Sequence, residues 1–349
     1  MDKKRKVKNI ILSLLVVAAL ILILAALTRL FMPKYMGEVK EGALIGEYYD
    51  EEKDFDVVFV GDCEVYENFV PLVLWEEHGI NSYIRGSAQQ LIWQSYYLTE
   101  ETLKYEKPDV VVFNVLSMKY NEPQKEAYNR MTIDGMRWSP SKVGAIKASM
   151  FESESFIEYV FPILRFHSRW NELEREDFRY FFGNEKVGDN GYYMQLGVVP
   201  VDYIPEPKIL GTYEFGEASW EYLNKIKDIC AENDVELVLI KAPSLYPEWY
   251  PEWDEQIVDF AEENDLKYVN FLECTDEIGL DFSTDTYDAG LHLNLSGAEK
   301  LTSYFGDYLA ENCDLEDRRD EPELSALWEN KKTAFYERKA ELEEKFCEK

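Results

Sequence analysis

The chain has 349 residues, 46% hydrophobic and 15% aromatic, with 37 Lys and Arg against 68 Asp and Glu. That length can bury a substantial core as one large or two small domains, and the aromatic content excludes a disordered or fibrous chain. A net charge of −31 excludes non-specific nucleic-acid binding, which needs a basic surface to meet the phosphates.

The charge is uneven. Residues 2–8 (DKKRKVK) carry five basic side chains and one acidic one, and residues 10–27 (IILSLLVVAALILILAAL) contain neither a charge nor a proline. Eighteen apolar residues rising 1.5 Å each span about 27 Å, close to the thickness of a bilayer's hydrocarbon core. A cleaved signal peptide is the competing reading, but its apolar core is usually shorter and ends in a small-x-small site. The spacing therefore predicts an uncleaved anchor over 9–32. Because basic residues stay on the cytoplasmic side, residues 1–8 are expected to be cytoplasmic. The main body is expected outside, extracellular or periplasmic, on a single-pass membrane protein whose first partner is the lipid bilayer.

Residues 33–53 are polar and acidic and read as a linker. After it, short apolar, β-branched runs mark buried parallel strands: 54–62 (DFDVVFVGD), 82–86 (SYIRG), 108–115 (PDVVVFNV), 235–243 (VELVLIKAP) and 266–271 (LKYVNF). Helical patterns alternate with them at 91–105, 219–233, 253–264 and 296–312, the last with Ser296 as its N-cap. This alternation implies an α/β fold: a flavodoxin-like three-layer sandwich with a parallel sheet of about five strands. Residues 116–218 break the pattern and read as an insertion between the third and fourth strands, over the sheet's carboxyl edge. Its Arg130, Arg137, Trp138, Arg165, His167 and Arg169 are candidates to line a groove for a polar or anionic glycan. The α/β body is expected over 54–319, followed by a charged helix at 320–349 packed through Leu324, Leu327, Trp328 and Phe335.

Function in an open parallel sheet gathers at the carboxyl ends of the strands. The first strand ends in Gly61-Asp62-Cys63-Glu64, where a thiol beside a helix start can be acidified and act as a nucleophile. A small residue filling a buried turn is the plainer reading of Cys63. Gly86 and Asn114 end the second and third strands, and a glycine N–H and an asparagine amide are suitable oxyanion donors. Lys241 ends the fourth, either as a substrate contact or as a surface lysine. Near the C-terminus, His292 follows Asp285 and Asp288 in a loop, where an upstream acid can fix one imidazole tautomer for general-base work. An ordinary loop histidine in an acid-rich chain is the alternative. Five cysteines leave at least one thiol unpaired. No CxxC pair or Cys/His cluster exists, so neither a metal site nor a cofactor is expected.

The strand-end Gly-Asp-Cys, the following glycine and asparagine, and the late Asp-x-x-x-His292-Leu293-Asn294-x-x-Gly297-Ala298 together resemble the SGNH/GDSL hydrolase superfamily. The likeness is to its membrane-anchored cell-envelope branch in bacteria, and it covers about 55–115 and 235–312. The resemblance implies Cys63 at the serine nucleophile's place, His292 as its base, and Cys63, Gly86 and Asn114 around the oxyanion; Asp62 and Lys241, by their places at strand ends, are candidate substrate contacts. Two positions depart from the pattern. Cysteine stands for serine, and the usual acid position, three before the histidine, is Ala289, which leaves Asp288 or Asp285 to serve. The implied activity is an esterase or acyltransferase acting on acetyl-type esters of an envelope polysaccharide or an acylated small molecule. The alternative is a non-catalytic module that binds glycan or an envelope-assembly protein.

Overall fold

The computed structural model describes residues 3–32, 43–52, 54–182 and 186–347. It divides into two compact units: residues 42–149 with 187–349, and residues 1–41 with 150–186.

The larger unit is built on one parallel sheet. Its strands are β1 (Val57–Gly61), β2 (Ser82–Gly86), β3 (Val110–Asn114), β4 (Glu236–Lys241) and β5 (Lys267–Asn270), in spatial order β2-β1-β3-β4-β5. This is the flavodoxin-like order, in which the chain reverses direction across the sheet beside β1 and opens a crevice at the strand ends. The central strands are buried on both faces, so they read as unbroken apolar runs rather than alternating ones. Each lies within the expected segment, and β2 fills it.

Side chains alternate along each strand, and two cores result. Val57 and Phe59 face one side and pack with Phe69, Phe271 and Phe305, beneath helices Pro71–His78 and Leu295–Asn312. Val58 and Val60 face the other and pack with Trp93, Leu223 and Phe260, beneath helices Ile92–Tyr105, Glu217–Glu232 and Pro251–Glu263. The helix Pro322–Cys347 buries Trp328 and Phe335, and Trp328 stacks on Trp75 with ring centroids 5.4 Å apart.

Four local outcomes differ from the sequence reading. Much of the expected linker lies outside the described residues, but residues 43–50 are helical, with Tyr48 buried over the Arg85 guanidinium at 4.0 Å. The last helix of the sheet unit is capped by Asn294, whose side chain accepts from Gly297 N, because the Ser296 hydroxyl is drawn to Asp285 at 2.9 Å. The insertion is split: 116–149 and 187–218 belong to the sheet unit, and 150–186 to the unit of the N-terminal helix. Within the sheet unit, residues 187–201 form a strap. It bonds β2 through Ile84 N to Asn190 O at 2.9 Å and meets the later loop through Ala289 N to Val199 O at 3.0 Å. Gly191, at φ +85°, is required here, since a Cβ would strike the Ile84 carbonyl.

In the smaller unit, helix Lys3–Phe31 is long and apolar enough to cross a membrane, and its most apolar stretch is exposed. Short helices Phe156–Val160, Ile163–Phe166 and Arg175–Phe182 accompany it.

Candidate active site

The site begins where β1 ends. A Cβ on Gly61 would collide with the Val65 side chain and approach Asn114 Cβ to 3.2 Å, so only glycine lets the chain fold straight from strand into the short helix Cys63–Tyr66. Asp62 caps that helix, its carboxylate accepting from Glu64 N at 3.2 Å. Cys63 is thereby presented at the sheet's rim, half-buried and unpaired; Cys230, Cys274 and Cys313 are also free thiols.

His292 comes from the loop before helix Leu295–Asn312. Asp288 grips it twice: one carboxylate oxygen accepts from His292 N at 2.8 Å, the other meets Nδ1 at 2.7 Å. The extra residue between acid and histidine is absorbed by left-handed backbone at Ala289 (φ +63°) and Gly290 (φ +96°). Thr286 closes the turn, donating to His292 O at 2.8 Å and accepting from Gly290 N at 2.7 Å. Asp285 is elsewhere: it pairs with Lys300 at 2.6 Å and accepts from Ser296. Asp288 is therefore the acid that reaches the imidazole, and Asp285 is not.

A second carboxylate stands by the same nitrogen. Glu67 lies 3.4 Å from His292 Nδ1 and accepts from the Tyr287 hydroxyl at 2.7 Å. The Tyr287 ring stacks on the imidazole at 15° with centroids 6.0 Å apart. Nε2 is buried and has no hydrogen-bond partner of ordinary geometry. The imidazole and the Cys63 thiol lie close enough for each to shift the other's proton affinity. Burial works against a charged imidazole, yet the Cys63 sulfur, the Asp288 hydrogen bond and the Glu67 charge push His292 up to about 12. Burial pushes the Cys63 thiol up, partly offset by the His292 charge. Burial also raises Glu67 to about 7, against the pull of His292.

Because the folded state holds a proton on His292 that an unfolded chain releases near pH 6.5, its stabilising effect is complete below that pH. It is lost as pH climbs toward about 12. The His292 contribution to the unfolding free energy of the full chain, read by chemical denaturation over a pH series, is expected to fall with rising pH above about 6.5, by at most about 1.4 kcal/mol per pH unit. Asp288→Asn should make that decline shallower; an equal or steeper decline would refute the assignment.

Beneath the rim lies a buried ionic floor. Lys241 Nζ bridges both Glu64 carboxylate oxygens at 3.1 and 3.0 Å, and donates to Ser244 Oγ at 3.1 Å. Ser244 also donates to Glu64. Asn114 Nδ2 donates to Glu64 at 3.0 Å and Asp62 at 3.3 Å, while its carbonyl accepts from Ala242 N at 3.2 Å. Burial would raise Glu64, but Lys241, Ser244 and Asn114 hold it below its ordinary value. Burial and the Glu64 charge lift Asp62 to about 6. Burial lowers Lys119, against the pull of Asp62 and Glu64. Its ammonium lies 5.0 Å over the Tyr120 ring.

Cys63, His292 and Asp288 are thus brought together, with Asp62, Asn114 and Lys241 directly beneath. Lys241 is fully buried and ion-paired, so it is neither a surface lysine nor presented to solvent. Both Asn114 amide hydrogens go to carboxylates, so oxyanion duty would require it to exchange a partner. Gly86 ends β2 opposite Gly61, and a Cβ there would crowd Tyr66 Cβ at 3.1 Å. The expected glycan-groove residues divide between the units. Arg130 is buried and paired with Glu126 and Asp134, and Arg137 bonds Tyr49 O. Arg165, His167 and Arg169 belong to the unit of the N-terminal helix. Sequence reasoning missed Glu64, Glu67, Lys119, Ser244 and Tyr287. The two glutamates sit one and four residues after Cys63, and buried helical spacing was the signal available for them. Among the described residues, no group of three or more His, Cys, Asp or Glu side chains is placed to hold a metal ion. No protein-family model matches the chain, and no curated protein sequence matches it.

Proposed function

We propose that the sheet unit is a cysteine-dependent acyl-ester hydrolase or acyltransferase of the SGNH type, acting on acetyl-type esters of an envelope polysaccharide. The observation that carries this reading is the Asp288–His292 pair at 2.7 Å beside the Cys63 thiol. Asp288 on Nδ1 orients the ring and stabilises the imidazolium, so that Nε2 carries the proton of the thiol. In the first step Cys63 Sγ, as the thiolate whose proton His292 already holds, bonds the ester carbonyl carbon. The carbonyl oxygen becomes an oxyanion, for which the Lys119 ammonium, close enough to Cys63 to interact with it electrostatically, is the candidate partner. Collapse breaks the C–O bond, and the alkoxide leaves with the proton returned by His292, giving a thioester. Water or a sugar hydroxyl, deprotonated by His292, attacks that thioester and restores the thiol. The membrane anchor supports a polymer at the cell envelope as the acyl donor.

A non-catalytic module binding glycan or an assembly partner is favoured by two observations: burial raises the Cys63 thiol, and the Asn114 amide is already engaged. Turnover of a short acyl ester by the full chain separates the readings. Hydrolysis lost on Cys63→Ala is the expected result, and hydrolysis unaffected by that substitution would remove the mechanism.

A further inference from the structure

The smaller unit carries an apolar surface that the site does not use. On the anchor helix the largely exposed stretch, residues 7–27, rises about 31 Å at 1.5 Å per residue, which by itself matches the hydrocarbon thickness. Partial burial sets in at its end, at Ala26 and residues 28–32. The cover comes from 150–186: Arg169 Nη1 donates to Phe31 O at 2.7 Å, satisfying an orphan carbonyl at the helix C-terminus, and its guanidinium pairs with Asp177 at 3.4 Å. The short helices therefore grip the anchor just where it leaves the hydrocarbon.

From that position they expose large apolar side chains. Ile157, Phe161 and Leu164 come from helices Phe156–Val160 and Ile163–Phe166 and the break between them, Phe178 and Phe182 stand i and i+4 on Arg175–Phe182, and Trp170 lies in the 3-10 turn His167–Asn171. Trp170 is 70% and Phe182 83% exposed. Aromatic rings so open to water are costly on a soluble surface, and they suit the headgroup boundary of a bilayer, where tryptophan has an apolar body and a polar N–H.

We infer that residues 156–182 form a second membrane contact: an interfacial lipid-binding patch that lies in the outer leaflet around the emergence point of the anchor. Its occupant is lipid, because the patch is continuous with a helix end that itself sits at the bilayer surface. One transmembrane helix leaves a protein free to swing about its exit point. A second, interfacial contact restricts that freedom.

The test uses the full chain reconstituted into phosphatidylcholine vesicles whose acyl chains are brominated near the headgroup. Subtracting the emission of Trp170→Phe from that of the native chain isolates Trp170. Expected are a blue-shifted Trp170 emission, loss of most of it to brominated lipid, and relief of that quenching by Phe178→Ser with Phe182→Ser. These side chains are exposed, so the double variant should fold as the native chain does. The inference is overturned by Trp170 emission that ignores brominated lipid and is quenched by acrylamide from water, or by quenching unchanged in the double variant. Shielding of Trp170 in native membranes but not in pure lipid would also overturn it, by showing that a protein covers the patch. None of these readouts depends on Cys63 chemistry.

Discussion

Replacing His292 by glutamine should lower the turnover of a short acyl ester by about 10²–10⁴, the range a positioned acid–base group contributes. Glutamine keeps much of the side chain's bulk and its polarity but cannot cycle a proton between the thiol and the leaving group. The loss belongs in kcat, because the imidazole acts on a proton in transit and not on the resting ester. Asp288→Asn should act in the same direction and by less, since Asn can still accept from Nδ1 while contributing no charge to the imidazolium. Glu67, 3.4 Å from the same nitrogen, remains as a partial substitute. Steady-state kinetics over a pH series distinguishes these effects. A His292→Gln protein that retained native kcat would leave Cys63 without a base and end the acyl-enzyme reading.

The scaffold that places these groups is more legible in the sequence than the groups that tune them. Strands β1 and β3 announce themselves because sheet centres buried on both faces demand uninterrupted Val, Ile and Phe. The rule that loops at strand carboxyl ends carry function then points to Cys63 without any coordinates. His292 is legible because a histidine is rare in this chain and follows two acids. The spacing to Asp288 is less so, since whether an extra residue can be absorbed depends on Ala289 adopting φ +63°, which no periodicity foretells. Glu64 and Glu67 were hidden by their own chain: among 68 acidic residues, nothing local says which two are buried. Burial of a carboxylate is decided by a partner far along the chain, and Lys241 lies 177 positions from Glu64. The helix cap shows the same limit. Asn294 and Ser296 are both competent N-caps, and the choice falls to Asn294 because Asp285, from outside the helix, takes the Ser296 hydroxyl. The split of the insertion was equally invisible, because its short helices follow no long apolar period and are sorted by what they pack against.

Lys241→Met is expected to be the most destabilising single substitution at the site. Both charges of the pair are essentially sealed from water, at 0% and 1% side-chain exposure. A charge so placed is tolerable only while its partner and its hydrogen bonds are in place. Methionine fits the space of the lysine stem and leaves Glu64 with only the Ser244 hydroxyl and the Asn114 amide. Breaking a buried pair from one side typically costs about 3–5 kcal/mol, because the remaining ion is stranded, whereas removing both charges together is often close to neutral. Glu64→Gln combined with Lys241→Met should therefore recover most of the loss, since a neutral amide can keep its bonds to Ser244 and Asn114. Chemical denaturation of the native chain, the two single variants and the double variant gives the coupling directly. A Lys241→Met loss below about 1 kcal/mol would place the pair in the class of solvent-screened surface bridges and contradict its burial. The same variants bear on the site above. Glu64 immediately follows Cys63 and is tied to Asn114 at the end of β3, so relaxing the floor should also loosen the thiol's placement against His292. The double variant, even where stable, should turn over ester more slowly than the native chain.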